Sequence, residues 1–212
     1  GDAGALAIGL TVGDASYFSW DFRSAMKLSG TTHLIALSGY NVSLVLGGVI
    51  WLLGKYIGRR KAIYVGLGVL VLFVSLTGFQ PSLVRASISA ILLLGALLVG
   101  RRAGPLRIFV ITAAIMVLLV PQWLTDLGFI LSFISSWALL AMVGDMEQTA
   151  LVMPQRLKGF WHTFVVPTMT AQIGVMPVLF AGIGVVYLIG FFANVLVLPL
   201  VPILMVLSGG LL

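Results

Sequence analysis

The chain has 212 residues, of which 60% are apolar and 8% are charged, and its mean hydropathy is +1.17. A soluble domain of this composition would expose too much apolar surface to water, so the sequence predicts an all-α, polytopic helical membrane protein. The absence of cysteine excludes disulfides and thiol nucleophiles. Two histidines cannot by themselves form a catalytic zinc site, so we expect neither a metal nor another cofactor.

The first apolar segment, Ala3–Val12, is too short to cross a membrane alone. We interpret it as the end of a preceding span or as a re-entrant segment. The sequence lacks an initiating methionine and ends shortly after an apolar run, so we expect a piece of a longer chain. Residues 1–212 are then interpreted as one membrane-embedded domain.

Residues 15–30 alternate apolar and polar side chains in a pattern typical of an amphipathic helix. We expect this helix to lie on the outer membrane surface, where its aromatic side chains would act as anchors or, alternatively, stack on nucleic-acid bases. The basic residues of the segment are Arg23 and Lys27. The apolar residues recur at four-residue spacing, at Phe18, Phe22 and Met26.

Seven apolar runs are long enough, or nearly so, to cross a hydrocarbon core that requires about 20 helical residues. We therefore predict about seven transmembrane helices, of which the third and fourth are short enough to need flanking residues or to be broken helices. The runs lie near residues 33–54, 61–79, 83–99, 107–120, 127–143, 160–181 and 185–207.

The positive charges of the loops indicate the orientation of these spans. If the first full span begins outside, most lysines and arginines fall on one side, which is then the cytoplasmic side. The net charge of +6 is mostly explained by this topology and indicates nucleic acid only weakly. The cytoplasmic residues would be Lys55, Arg59, Arg60, Lys61, Arg101, Arg102, Arg107, Arg156 and Lys158, with Arg23, Lys27 and Arg85 opposite.

Small residues recur at four-residue steps on three of the predicted spans. Residues four apart share a helix face, and small side chains let helix backbones approach closely. Such stripes indicate tight packing or, alternatively, the smooth wall of a narrow polar path. The three stripes are Gly39, Ser43 and Gly47; Ser82, Ala86 and Ala90; and Gly128, Ser132 and Ser136.

The stretch at residues 32–43 places polar groups in and beside the first full span, where hydrocarbon offers them no hydrogen bonds. His33 is interpreted as a residue that caps or anchors the helix, or as a proton-transfer group. Asn41, near the middle of the helix, needs either interhelical hydrogen bonds or water in a channel. Ser38 lies between them and is a further candidate for a polar path.

Arg85 is expected about one turn into a helix that begins with Pro81, where the helix dipole disfavours a cation. An anion should therefore compensate it. The obvious protein partner is Asp126, with Asp14 and Asp21 as others, and a passing phosphate is the functional alternative. Ser82 and Ser89 lie on the same predicted face.

Polar residues and prolines interrupt the last two apolar runs at Gln172, Pro177, Asn194 and Pro199. Broken helices are common around transport paths, but prolines are also ordinary in membrane helices. We treat Pro177, Asn194 and Pro199 as candidate positions of helix breaks.

Several motifs of the sequence together resemble the membrane-embedded competence domain of the ComEC competence-protein family. The resemblance spans almost the whole chain and implies a channel that carries single-stranded DNA across the bacterial cytoplasmic membrane during natural transformation. The motifs are H-L-I-A-L-S-G at residues 33–39 with Asn41, G-F-Q-P-S-L-V-R-A at 78–86, Arg101 and Arg102, P-Q-W-L-T-D-L-G-F-I-L-S-F at 121–133, A-Q-I-G-V-M-P at 171–177, Phe191 and N-V-L-V-L-P at 194–199.

One position departs from the pattern of this family, which commonly has histidine where this chain has Asn41. A role that needs imidazole is therefore not carried over, whereas hydrogen bonding is. Members of the family often carry an OB-like domain and a metallo-β-lactamase-like domain, and neither is visible in this sequence. We assign no nuclease or other enzymatic activity to this piece.

The resulting hypothesis is a wet path for a strand that bears one charge per nucleotide. Because no G-x-x-x-x-G-K loop is present, energy should come from a cytoplasmic motor or the membrane potential and proton gradient. Expected partners are the bilayer, a DNA receptor outside, and that motor or single-strand-binding proteins inside. Path candidates are His33, Ser38, Asn41, Ser82, Arg85, Ser89, Ser132 and Ser136, with entry charges Arg23 and Lys27 and exit charges Arg59, Arg60, Arg101 and Arg102.

Two other classes of function also fit the composition. A small-solute or ion transporter would have polar residues in mid-helix and broken helices, and should show an internal repeat, which the two halves do not convincingly display. A membrane scaffold that only docks soluble domains would explain the small-residue stripes as packing alone.

Overall fold

The computed structural model describes residues 18–28, 39–149 and 161–183, with the isolated positions 159, 192, 195–197 and 200. Within these residues the secondary structure is helical and contains no strand, which confirms the all-α prediction. The α-helices are α1 Trp20–Leu28, α2 Gly39–Ile57, α3 Arg59–Thr77, α4 Pro81–Leu98, α5 Pro105–Leu119, α6 Leu127–Thr149 and α7 Val166–Ile183. A 3₁₀-helix lies at Pro121–Thr125 and a π-helix at Trp161–Val165.

Three of these helices, α2, α3 and α4, are long and apolar enough to cross a membrane. The apolar parts of α5, α6 and α7 are shorter, which agrees with the short fourth run of the sequence. The predicted run at 185–207 and the segment Ala3–Val12 lie outside the described residues, so the number of spans stays a prediction. The protein is a helical membrane protein in which each described apolar run from 61 to 181 forms a helix near its expected place.

The chain divides into two compact units, and each has its own packing. Residues 37–129 form one unit, which contains α2 to α5 and the first residues of α6. Residues 1–36 and 130–212 form the other, in which α1, most of α6, the π-helix and α7 are described. The single domain expected over residues 1–212 stays a prediction.

Helices α2 and α3 form a tight hairpin around a single glycine. Gly58 has a φ of 80°, a left-handed conformation that glycine adopts without steric cost, and it caps the start of α3. Further along, a Cβ atom on Gly66 would stand 3.3 Å from Leu46 and 3.6 Å from Ile50. The small residue therefore lets the two helix backbones approach closely.

The core of this unit lies between α2, α3 and α4. Its buried side chains are apolar, and both alanines of the small-residue stripe on α4, Ala86 and Ala90, pack against it. Part of the predicted stripe on that helix is therefore used for packing. The core residues are Val42, Leu46, Leu70, Val74 and Leu83.

Large apolar side chains cover the outside of the same helices. Leu72 and Leu76 on α3 are 58% and 72% exposed, and Trp51 on α2 is 70% exposed. A water-soluble bundle would turn such a continuous apolar surface inward, whereas a bilayer solvates it. This surface agrees with the membrane class inferred from composition.

The ends of α4 and α5 follow local sequence signals. Both helices begin with a proline at their first position, where the missing N–H has no intrahelical partner to lose. α4 ends in a Schellman motif: Gly100 has a φ of 72°, its N–H bonds the Leu97 carbonyl, and the Arg101 N–H bonds the Ala96 carbonyl. The start predicted at Pro81 is thus confirmed.

Helix α1 lies inside the predicted amphipathic segment and is shorter than it. The Ser19 hydroxyl accepts a hydrogen bond from the Phe22 N–H at 3.4 Å, which is the geometry of an N-cap, and Asp21 stands in the first turn. The rings of Phe18 and Phe22 stack with centroids 5.0 Å apart. The placement of this helix on the outer membrane surface stays a prediction.

Candidate functional site

The described residues include many, but not all, of the predicted site residues. Arg23 and Lys27 belong to α1, but their side chains are not among those described. The predicted positions His33, Ser38, Asn194 and Pro199 lie outside the described residues.

Asn41 is a buried amide in the first turns of α2, and its side chain is only 3% exposed. A buried amide normally finds partners, because leaving it unpaired costs roughly 1–3 kcal/mol. The two alternatives left open by the sequence, interhelical hydrogen bonds and water in a channel, both stay predictions.

Arg85 lies at the contact between α4 and the start of α2. A Cβ atom on Gly39 would stand 3.3 Å from the Ala86 Cβ and 3.8 Å from Nη2 of Arg85. The guanidinium is therefore beside the α2 backbone two positions before Asn41. The structure thus places Arg85 against α2 at Gly39, and a role of Arg85 in a path stays a prediction.

Asp126 stands between the 3₁₀-helix and α6, on the surface of the protein. Its Oδ1 accepts a hydrogen bond from the Phe129 N–H at 2.8 Å, so the carboxylate caps the start of α6. A carboxylate also complements the positive end of the helix dipole. The ion pair between Arg85 and Asp126 stays a prediction.

The serines of α4 have different environments. Ser82 and Ser89 are half-buried. The Ser89 hydroxyl lies 3.1 Å from the hydroxyl of Thr112, which is completely buried in α5, and the two form an interhelical hydrogen bond. Ser87 bonds its own helix at the Leu83 carbonyl, 2.8 Å away. In this state Ser89 therefore joins two helices.

Sequence reasoning missed Thr112. It is the single hydroxyl residue in the apolar fourth run, and that isolation is the signal that could have identified it. A hydroxyl in an apolar helix needs a hydrogen-bond partner, and in a membrane helix that partner often lies on a neighbouring helix.

Ser132 and Ser136 lie on α6, in the second compact unit, and both are half-buried. The hydroxyls of Ser135 and Ser136 donate to the Ser132 carbonyl at 3.0 Å and 2.8 Å. Serines in membrane helices commonly satisfy themselves in this way, and such bonds slightly bend the helix. Their role as path residues stays a prediction.

Two further buried polar atoms were not predicted. The indole Nε1 of Trp161 in the π-helix and the hydroxyl of Thr170 in α7 have no hydrogen-bond partner among the described residues. Thr170 is 1% exposed. Buried polar groups of this kind are typical positions for ordered water, and π-helical turns occur frequently at functional sites.

Helix α7 passes through Pro177 and ends at Ile183. The predicted run at 160–181 also contains the π-helix, which immediately precedes α7. A helix break at Pro177 stays a prediction. Upstream of the proline, Gly174 packs closely on α6, because a Cβ atom there would stand 2.6 Å from the Ala138 Cβ.

The predicted cytoplasmic charges surround the loop ends of α2, α3 and α4. Arg59, Arg60, Arg101 and Arg102 are all exposed. An open cavity of about 270 Å³ lies between the start of α3 and the end of α4. It is lined by Arg59, Arg60, Ile63, Leu97 and Leu98.

Lys55 and Trp51 form a contact near the C-terminal end of α2. The Lys55 Nζ lies 5.2 Å from the centre of the Trp51 ring, a cation–π contact at the end of a predicted span. Tryptophan and lysine are typical of the boundary between hydrocarbon and water.

The described residues contain no group of His, Cys, Asp and Glu side chains that could hold a metal.

Comparison with known proteins agrees with the motifs. The chain is 28% identical over 199 residues to ComE operon protein 3 of Bacillus subtilis (strain 168), a match that covers 93% of this chain and 25% of that protein. It is 27% identical over 218 residues to the uncharacterized protein YcaI of Escherichia coli (strain K12), covering 95% of this chain and 28% of the other. The chain thus spans about a quarter of the length of these curated relatives.

No solved structure matches the chain. The family model described as Competence protein matches residues 10–212, which include all seven apolar runs and the polar stretch before Asn41. The resemblance carried by the sequence motifs is thereby confirmed, and the chain belongs to the Competence protein family.

Proposed function

We propose that this chain forms part of a path for single-stranded DNA across the bacterial cytoplasmic membrane during natural transformation. Membership of the Competence protein family and the similarity to ComE operon protein 3 support a role in competence. In this proposal the chain is a multi-pass channel domain and performs no enzymatic step.

The observation that carries the proposal is that a buried amide and a cation both occur at the same part of α2, within two positions of each other along the helix. Asn41 is 3% exposed, and the Arg85 guanidinium lies against Gly39, two positions earlier on the same helix. A phosphate group needs both charge and hydrogen-bond donors in a low-dielectric setting, and arginine and asparagine provide them.

The local packing constrains where a strand would run. Gly39 is in close contact with Ala86, so α2 and α4 leave no opening between them at this point. The strand would therefore pass beside this contact, close to the Arg85 guanidinium. Ser82, half-buried in the first turn of α4, would extend the same wall. Ser132 and Ser136 are further path candidates on α6.

A small number of cations along the path would help the DNA strand to pass through it and not remain bound. Each phosphate held by an arginine adds an electrostatic contact, and a channel must bind its cargo weakly enough to release it. Arg23, Lys27 and Arg85 would attract the strand from outside, and Arg59, Arg60, Arg101 and Arg102 would meet it at the cytoplasmic exit. A DNA receptor outside and a motor or single-strand-binding proteins inside would complete the pathway.

The test is a transformation assay of the full-length protein carrying Arg85→Ala or Asn41→Leu. Each variant should lower DNA uptake about tenfold or more at normal membrane abundance, because a hydrogen bond to a charged group contributes about 1.5–3 kcal/mol. Ser75→Ala is a suitable control, since this exposed hydroxyl bonds only its own helix, at the Val71 carbonyl.

Two results would contradict the proposal. Normal transformation by both Arg85→Ala and Asn41→Leu, with protein levels verified by immunoblot, would exclude these residues from the path. Reconstituted vesicles that pass a small solute but never an oligonucleotide would instead indicate a transporter.

A further inference from the structure

The cavity at the cytoplasmic end of α3 and α4 combines charge with apolar walls. Arg59 and Arg60 come from the first turn of α3, and Leu97 and Leu98 come from the last turn of α4. Ile63, which is 3% exposed, forms its inner wall. A ligand that fits such a site must itself have an anionic part and an apolar part.

The four helices that form the unit of this cavity carry no acidic residue beside it. No aspartate or glutamate occurs between Asp21 and Asp126, a segment that contains all four helices of this unit from α2 to α5. In addition, α3 begins at Gly58 with no side-chain cap and no acidic residue in its first turn. Its free N–H groups and two guanidiniums therefore favour an external anion.

The chemistry of the walls distinguishes among anions. The five residues that line the cavity include no aromatic ring, so a nucleotide base would lack the aromatic platform that is typical of single-strand binding sites. The volume of about 270 Å³ is slightly below the roughly 300 Å³ at which sites for whole small molecules begin. A phosphate head group with the first carbons of an acyl chain matches both the size and the walls.

We propose that this cavity binds one anionic phospholipid of the cytoplasmic leaflet. Arg59 and Arg60 would contact its phosphodiester, and Ile63, Leu97 and Leu98 would lie along the beginning of an acyl chain. Basic pockets between transmembrane helices on the cytoplasmic side are recurrent sites for such head groups, and the anionic leaflet concentrates them there. This proposal does not depend on DNA transport, and it assigns Arg59 and Arg60 to the lipid in place of the DNA exit.

The lipid would also affect the exit charges. With Arg59 and Arg60 occupied by a resident phospholipid, contact with a passing strand at this end would fall mainly to Arg101 and Arg102. The Schellman motif holds Arg101 at the end of α4, immediately after the residues that line the cavity.

The test uses the full-length protein purified in detergent, depleted of lipid, and titrated with phosphatidylglycerol or phosphatidylcholine under native mass spectrometry. We expect the parent protein to retain one phosphatidylglycerol and no phosphatidylcholine. Arg59→Gln and Arg60→Gln should each weaken binding about fivefold, and the double variant about 25-fold. Arg107→Gln is the matched control, because this exposed arginine is on the same predicted side but does not line the cavity.

A second variant separates the cavity from its charge. Leu98→Trp keeps both arginines and fills the apolar part, so it should also abolish retention of phosphatidylglycerol. Thermal unfolding of each variant in detergent shows whether it is folded.

Three outcomes would overturn the proposal. Equal phosphatidylglycerol binding by the parent and by the double arginine variant would show that the cavity is not the site. Displacement of the lipid by millimolar inorganic phosphate, with phosphate then bound, would identify a free-phosphate site. Displacement by a single-stranded oligonucleotide, again lost in the double variant, would assign both arginines to DNA.

Discussion

The Nη2 atom of Arg85 lies 3.8 Å from the point where a Cβ atom on Gly39 would stand. The Ala86 Cβ is closer still, at 3.3 Å. The absence of a side chain at Gly39 therefore allows α4 to approach α2 and places the guanidinium beside the polar start of that helix. Any larger residue at this position must displace one of the two side chains.

A leucine at position 39 tests this contact. We expect Gly39→Leu to lower the free energy of unfolding by about 1–3 kcal/mol, the usual cost of overpacking, because the added side chain must push Ala86 or Arg85 aside. Thermal unfolding of the purified protein in detergent measures the effect. If Arg85 belongs to the path, DNA uptake should fall as well.

Gly47 provides the matched control for this substitution. It lies on the same helix and on the same predicted small-residue stripe, but no atom stands within 4 Å of its Cβ position. Gly47→Leu should therefore be tolerated. Equal stability of the two variants would show that the close approach at Gly39 is not required.

The hydrogen bond between Ser89 and Thr112 predicts a measurable coupling of α4 and α5. In a double-mutant cycle of Ser89→Ala and Thr112→Ala, we expect a coupling free energy of about 0.6 kcal/mol, typical of hydrogen bonds between membrane helices. Ser87 is the control, since its hydroxyl bonds the Leu83 carbonyl of its own helix. A coupling no larger than that of Ser87 with Thr112 would exclude the interhelical bond.

The positions of several helices follow directly from the sequence. The apolar runs indicate the spans because burying polar backbone in hydrocarbon requires helices, and Pro81 and Pro105 fix where α4 and α5 begin. Hydropathy, however, describes only how favourably a side chain transfers from water into lipid. It does not indicate whether the backbone forms the hydrogen bonds of an α-helix or those of a π-helix. The π-helix before α7 was therefore not predictable beyond the general expectation of an irregular helix.

The small-residue stripes show a second limit. Four-residue spacing defines one face of a helix, but it does not indicate which helix covers that face. Of the three stripe residues on α2, Gly39 contacts another helix, whereas Ser43 is exposed and Gly47 has open space around it. Similarly, the face of Arg85 was predicted from the sequence, but its proximity to α2 depends on how the helices rotate and pack.

Asp126 predicts different effects for two substitutions. Its carboxylate caps α6, and asparagine is an equally good N-cap, whereas alanine is not. We therefore expect Asp126→Ala to lower the free energy of unfolding by about 1 kcal/mol and Asp126→Asn by only a few tenths.

The same variants test the ion pair predicted with Arg85. If the pair forms, Asp126→Asn should be more destabilising in the parent than in an Arg85→Gln background, because the charge then has a partner to lose. Thermal unfolding of the four proteins measures this difference. Identical effects in both backgrounds would leave Asp126 with the capping role alone.

The closest approach around a glycine in the described part of the chain occurs between α7 and α6. A Cβ atom on Gly174 would stand 2.6 Å from the Ala138 Cβ and 3.6 Å from the Ile134 carbonyl oxygen, so a methyl group there forces the helices apart. We expect Gly174→Ala to cost about 1–3 kcal/mol, even though alanine favours a helix by about 1 kcal/mol over glycine. The net loss would show that close packing outweighs helix propensity at this site.

Two further variants distinguish this contact from a general effect of glycine replacement. Gly68→Ala on α3 should stabilise the protein by about 0.5–1 kcal/mol, because its Cβ would stand in open space and only the helix propensity changes. Adding Ala138→Gly to Gly174→Ala removes the opposing methyl group, so the double variant should unfold at a higher temperature than Gly174→Ala alone. If Ala138→Gly lowers the unfolding temperature further, the two helices do not meet at this pair of residues.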